Sequence, residues 1–266
     1  MNRALIVIAV VSCAVACKKS RPAHELVFSD DAGRRLTRAD LANATGTVHW
    51  EVIGGDDVPA EAKQLHEQGR AAGSAADYTK ALGLFEQASK LAPSWPYPRY
   101  DAAYTYLLQG DTVSAEAAYA EVDRLAPRGF FTSKTTLDCL RREREGELLP
   151  DFCRLFTMTE WLSPEERRTA LRGLLAKAPD FGAGWHELSE ALDGDEAARA
   201  DAIEKGLAAK SDAQTRGLLL INKALLLQDT DRAGAVRMLG EVATDPTSTL
   251  DVEQIAKATL AQLVGK

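Results

Sequence analysis

Little in this chain of 266 residues suits it to nucleic acid, to metal chemistry or to catalysis. Aromatic residues make up only 6% and alanine is abundant, which fits close-packed helices better than a β-sandwich. Basic residues number 32 against 39 acidic ones, for a net charge of −7, and both signs are mixed along the chain. No basic stripe with interleaved aromatics occurs, so a nucleic-acid partner is not expected. The four histidines, His24, His49, His66 and His186, are scattered, and His186-Glu187-Leu188 lacks the second histidine of a zinc-protease motif. There is no Gly-x-Ser-x-Gly elbow, phosphate-binding loop or dinucleotide fingerprint. Glu165 and Glu166 are acidic neighbours at a helix start, where the helix dipole accounts for them. The expectation is therefore a non-enzyme, with no cofactor and no metal.

What the chain does have is a step of 34 residues between Pro93 and Pro127. Each proline closes a helix-like run, Ala81-Leu-Gly-Leu-Phe85-Glu-Gln-Ala88 before the first and Ala115-Glu-Ala-Ala-Tyr119-Ala-Glu-Val122 before the second. A period of this size marks stacked helical hairpins. Starting at Ala62, template positions 4, 8, 11, 20, 24, 27 and 32 hold Leu65, Gly69, Ala72, Ala81, Phe85, Ala88 and Pro93. Starting at Pro96, they hold Arg99, Ala103, Tyr106, Ala115, Tyr119, Val122 and Pro127. This pattern resembles the tetratricopeptide repeat, from which Arg99 and Val122 depart. Its physical sense is plain: small residues at 8, 20 and 27 let two helices approach, large ones at 4, 11 and 24 fill the gaps, and proline stops the second helix.

The resemblance implies a partner-binding groove along the first helix of each hairpin. Its positions 2, 5 and 9 fall on Lys63, His66 and Arg70 in one copy and on Tyr97, Tyr100 and Tyr104 in the next. Each triplet has i, i+3, i+7 spacing and so shares one helix face. A basic row beside a tyrosine row suits an acidic or carboxylate-ended protein segment. Alternatively, the tyrosines pack on a neighbouring repeat or on the N-terminal extension, and the cations form a solvated face. The asparagines and second lysine of the chaperone-binding carboxylate clamp are absent from the matching slots, so that activity is not implied.

Beyond Pro127 the pattern loosens. Pro179 lies 52 residues on, and the interval reads as a hairpin enlarged by an insertion. It contains Cys139 and Cys153, which an oxidising compartment would join in a disulfide closing a loop of about 15 residues; two buried free thiols are the alternative. Ser163-Pro164-Glu165-Glu166 starts a helix, with serine as cap, proline at its first position and glutamate at its third. Repeat character returns after Pro179, and Leu250–Val264 reads as a capping helix.

The N-terminus differs from all of this. Arg3 precedes the apolar run Ala4–Ala16, 13 residues against the ~20 of a membrane-spanning helix, and Lys18-Lys19-Ser20-Arg21 follows. Its end, Ala14-Val15-Ala16-Cys17, resembles a bacterial lipobox and implies lipid attachment at Cys17; Val10-Val11-Ser12-Cys13 gives Cys13 as the alternative. Residues 26–58 read as a small β-containing extension, with strands near Leu26–Ser29, Arg34–Leu36 and Thr47–Val52 packing on the first helix.

The expected organisation is a signal peptide over 1–16, a tether over 17–25, the extension over 26–58, two repeats over 59–128, a degenerate hairpin over 129–180, and repeat-like helices with a cap over 181–266. The expected fold is all-α, a right-handed solenoid of about five helical hairpins. The expected role is a lipid-anchored scaffold of the bacterial cell envelope, at the outer membrane facing the periplasm, that recruits a protein or peptide. The competing expectation is an enzyme or ligand-carrying accessory whose site the β-element completes.

Overall fold

The computed structural model describes residues 24–30, 32–37, 40, 49–54, 58–192 and 194–264. Cys13 and Cys17 lie outside the described residues, as do the expected signal peptide and nearly all of the tether. The extension is a three-stranded antiparallel sheet of β1 (His24–Ser29), β2 (Arg35–Leu36) and β3 (His49–Gly54), in the order β2-β1-β3. Its register pairs Leu26 with Val52 and Phe28 with Trp50.

Twelve α-helices follow among the described residues. They are α1 (Ala60–Ser74), α2 (Tyr78–Leu91), α3 (Tyr97–Leu108), α4 (Thr112–Leu125), α5 (Ser133–Arg144) and α6 (Phe152–Met158). After a 3-10 turn at Thr159–Trp161 come α7 (Pro164–Lys177), α8 (Gly182–Ala191), α9 (Glu196–Ala208), α10 (Ala213–Leu227), α11 (Arg232–Thr244) and α12 (Leu250–Val264).

Short polar signals set the rhythm. The second helix of each hairpin opens on a side-chain cap: Asp77 accepts from the Lys80 amide, Asp111 from Ser114, Ser163 from Glu166, Asp195 from Ala198 and Asp231 from Gly234. Each cap satisfies an amide that the first turn leaves without a partner. The first three of these helices also stop alike. Ala92, Ala126 and Ala178 adopt φ/ψ of −133/72, −129/70 and −136/70, each just before a proline that cannot continue the ladder. By cap and by stop, α7 is thus the second helix of a third hairpin begun by α5. The interval from Pro127 to Pro179 exceeds the period by 18 residues, and α6 with its 3-10 turn fills the excess. Among the described residues the architecture is a helical-hairpin solenoid of five pairs, the inserted α6 and a final helix.

Packing follows the small–large template. Gly69 lets α1 meet the Phe85 ring so closely that an added Cβ would sit 2.5 Å from Cε1. Ala103, Ala115, Tyr119 and Val122 are fully buried in the next pair. Cys139, Leu140, Phe152 and Cys153 extend that core into the insertion, where Phe181 at the start of α8 completes it. Leu171, Leu175, Leu188 and Ala202 form the core of the fourth layer, and Ile221, Leu239 and Val252 that of the last.

The far end of the solenoid turns back. The Leu250 amide donates to the Arg128 carbonyl at 2.7 Å, and the Arg128 guanidinium pairs with Glu253. Gln214 Nε2 donates to the Phe131 carbonyl at 2.5 Å and to Asp251 at 2.6 Å. The extension follows this return: β1 is set against α12, where the sequence had pointed to α1. The reason is spatial, since a sheet too small to stand alone needs an apolar helix, and the last helix offers a face that no further repeat covers.

Candidate functional site

The six residues expected to line a groove meet different fates. Lys63 and Arg70 are exposed on α1. His66 is buried: its ring lies 4.9 Å from Trp95 and 5.7 Å from Phe85, and its Nε2 is 2.7 Å from Asp101 on α3. It ties the first hairpin to the second and offers nothing to a ligand. Arg70 Nε stands 3.8 Å from the same carboxylate, a contact that solvent screens.

Tyr97 and Tyr100 face α3's neighbours. The loop after α4 carries Phe130 and Phe131, whose rings lie 4.8 and 5.6 Å from Tyr97, and 5.6 and 5.2 Å from Tyr100. The near-perpendicular pairs among these are the arrangement that ring quadrupoles favour. The Tyr100 hydroxyl bonds Thr132 Oγ1 at 2.8 Å, and burial pushes its pKa up to about 12. The loop is held in an unusual shape: Phe131 has φ of +46°, where a bulky side chain is rarely found, and Gln214 grips its carbonyl. Tyr97 and Tyr100 are therefore half-buried in the protein's own aromatic cluster.

Tyr104, one turn further along α3, meets the insertion. Its hydroxyl donates to the Glu160 carboxylate, and its ring stands 6.1 Å from Trp161 at 70°. Burial raises the Tyr104 pKa, and Glu160 raises it further by favouring the protonated hydroxyl. Trp161 is 55% exposed, an unusual state for a large aromatic, and its neighbour Leu162 is exposed too. The repeat template assigns no groove position to Glu160 or Trp161. The available signal was a tryptophan in a segment where the template breaks and no hairpin partner is due.

The insertion is positioned from two sides. Cys139 on α5 and Cys153 on α6 face each other with Cα atoms 5.8 Å apart and their sulfurs at bonding distance. Glu143 on α5 accepts from the Asp151 and Cys153 amides, both at 2.9 Å, so the carboxylate caps the start of α6 that Asp151 itself, at φ +68°, leaves open. The site that results is a corner between α3 and the 3-10 turn, apolar at its base and anionic at its edge. A second cleft, between α2, α3 and α4, is lined by Phe85, Ala102, Tyr106 and Ala118, residues that pack the hairpins. Among the described residues no group of three or more His, Cys, Asp and Glu side chains is arranged to hold a metal. No helix among them is long and apolar enough to cross a membrane.

No protein-family model matches the sequence, and no curated protein does. Solved structures do. Residues 41 to the end of MamA from Desulfovibrio magneticus RS-1 align over 74% of this chain and 98% of that one, at 14% identity and a TM-score of 0.33. TTC0263, a tetratricopeptide-repeat protein of Thermus thermophilus, aligns over 75% and 98%, at 16% identity and the same TM-score of 0.33. The Cut9–Hcn1 hetero-tetramer of the APC/C aligns over 76% of this chain and 44% of that one, at 16% identity and 0.33. The repeated caps, the alanine–proline stops and the glycine–phenylalanine crossing within this chain make it a tetratricopeptide-like helical-hairpin solenoid.

Proposed function

We propose that this chain is a non-catalytic scaffold that recruits a protein or peptide partner, tethered to a bacterial envelope membrane by lipid on Cys17 and facing an oxidising compartment. The observation that carries the recruiting role is the corner at Tyr104, Glu160 and Trp161. There a half-exposed tryptophan stands beside a tyrosine on the face that the repeat template assigns to partner binding. Aromatic anchors of this kind dominate interface energetics because they bury much area at little entropic cost. Lys63 and Arg70 extend the face along α1 as a solvated rim. The lipid reading rests on the Ala4–Ala16 run and the Ala-Val-Ala-Cys ending. The facing pair Cys139–Cys153 supports export, since such pairs persist where thiols are oxidised.

The two parts are tested separately. Cys17→Ser should move the protein from the membrane fraction to the soluble one; retention, with release by Cys13→Ser instead, would relocate the lipid site. Trp161→Ala, at an exposed position, should leave the circular dichroism spectrum unchanged and abolish co-purification of the partner. Undiminished co-purification would sink the assignment of the face.

A further inference from the structure

The two tryptophans of the central layers differ in what covers them. Trp185 on α8 carries its own cation, with Lys205 Nζ 5.1 Å from the ring centroid. Trp161 is more than half exposed, and Tyr104 stands across from it at 70°, so the two rings form an open corner. Glu160 lies at its edge. One carboxylate oxygen accepts from the Tyr104 hydroxyl, and among the described residues no lysine, arginine or histidine pairs with Glu160. The insertion's one basic residue, Arg154, is turned away, with its guanidinium on both oxygens of Asp151 at 2.6 and 2.5 Å. The other cation–π contact among the described residues, Arg142 over Phe181, is also elsewhere.

An indole more than half exposed, set edgewise at 70° to a phenol ring and with a carboxylate beside it, is a seat for a cation. The rings attract the charge through their quadrupoles, and Glu160 supplies the counter-charge. Asp101, the residue after Tyr100 and one turn before Tyr104 on α3, adds negative potential, partly offset by Arg70. We propose that the Tyr104–Glu160–Trp161 corner recognises a lysine or arginine side chain of the partner segment, in the way Trp185 already receives Lys205 from within the chain. This inference rests on the recruiting role proposed above and names the partner's chemistry. It also departs from the acidic segment that the Lys63, His66 and Arg70 row suggested, because His66 is turned inside and Arg70 is drawn to Asp101.

The test uses the full-length chain, 15N-labelled, with the Trp161 indole N–H signal assigned by its loss in Trp161→Phe. The probes are capped pentapeptides with a central lysine, arginine, norleucine or glutamate between alanines, at constant ionic strength. The lysine and arginine peptides should shift the Trp161 signal saturably, and the norleucine and glutamate peptides should not. Glu160→Gln should weaken the lysine peptide about tenfold, and Tyr104→Phe, which keeps the ring and frees the carboxylate, should retain it. An equal shift with norleucine, an unchanged affinity in Glu160→Gln, or no shift with any probe would overturn the inference. Co-purification of a partner that Trp161→Ala abolishes but Glu160→Lys leaves intact would overturn the cation seat alone. Lysine-peptide binding without any co-purifying partner would instead sink the scaffold reading and leave the seat standing.

Discussion

The first two hairpins and the third obey the same rules at their ends and different ones between. Helices α2, α4 and α7 all open on a polar cap and close on the same alanine–proline turn. In the first two, adjacent helices meet directly through small residues such as Gly69, Ala103 and Ala115. In the third, 18 extra residues part the helices, and a facing cysteine pair and the Glu143 carboxylate do the positioning that the template does elsewhere. A regular repeat is thus a spacing problem solved by side-chain size, and an insertion into it is a tethering problem solved by specific links. The candidate site lies at the seam: Tyr104 comes from the regular part, Glu160 and Trp161 from the tethered one.

The largest expected effect breaks the regular side. Phe85→Ala removes a buried ring at the α1–α2 crossing and should cost about 3–5 kcal/mol, read in chemical denaturation. Amide exchange should rise through α1–α4 together, because each repeat is supported by its neighbours. Next comes the tether. Replacing both Cys139 and Cys153 by serine should cost about 3 kcal/mol, with faster exchange confined to 152–161 and none at α1–α4. Helix α6 has 7 residues, too few to persist unaided. Loss of protection throughout α1–α4 would break the distinction between the two regions.

The caps give a smaller and more even effect. Asp77→Ala, Asp111→Ala, Asp195→Ala and Asp231→Ala should each cost about 1 kcal/mol, and Ser163→Ala should match them if α7 belongs to the same series. The smallest effect concerns the return of the last helix. Asp251 is buried, which raises its pKa despite the bond from Gln214. The folded state therefore favours the neutral acid, and folding is penalised as pH rises through the folded-state value, which lies above 3.8. Asp251→Asn should raise Tm at pH 7, and the gain over wild type should shrink as the pH is lowered through that value.

The regular region was legible because its signals are local. Proline spacing, small residues at fixed intervals and turn aspartates all act within one hairpin, and sequence carries them directly. The helix start at Ser163 was legible for the same reason. Three features were not. His66 reads as a groove residue by position, but its burial depends on Trp95 and Asp101, far along the chain. The aromatic filling over Tyr97 and Tyr100 depends on how Phe130 and Phe131 are aimed, which Gln214 decides from 83 residues away. The sheet's place against α12 depends on the whole course of the solenoid. Trp161 escaped notice because an insertion has no template to say which of its residues point outward.

The central claim is that the partner binds where α3 meets the insertion. A photo-crosslinking residue at position 70, which faces Asp101 one turn of α3 before Tyr104, and another at position 113, exposed at the start of α4, would be compared in native membranes. The account predicts a discrete protein adduct from position 70 that disappears in the Trp161→Ala background, and none from position 113. An adduct of equal strength from both positions, or one from position 70 that persists without Trp161, would contradict it.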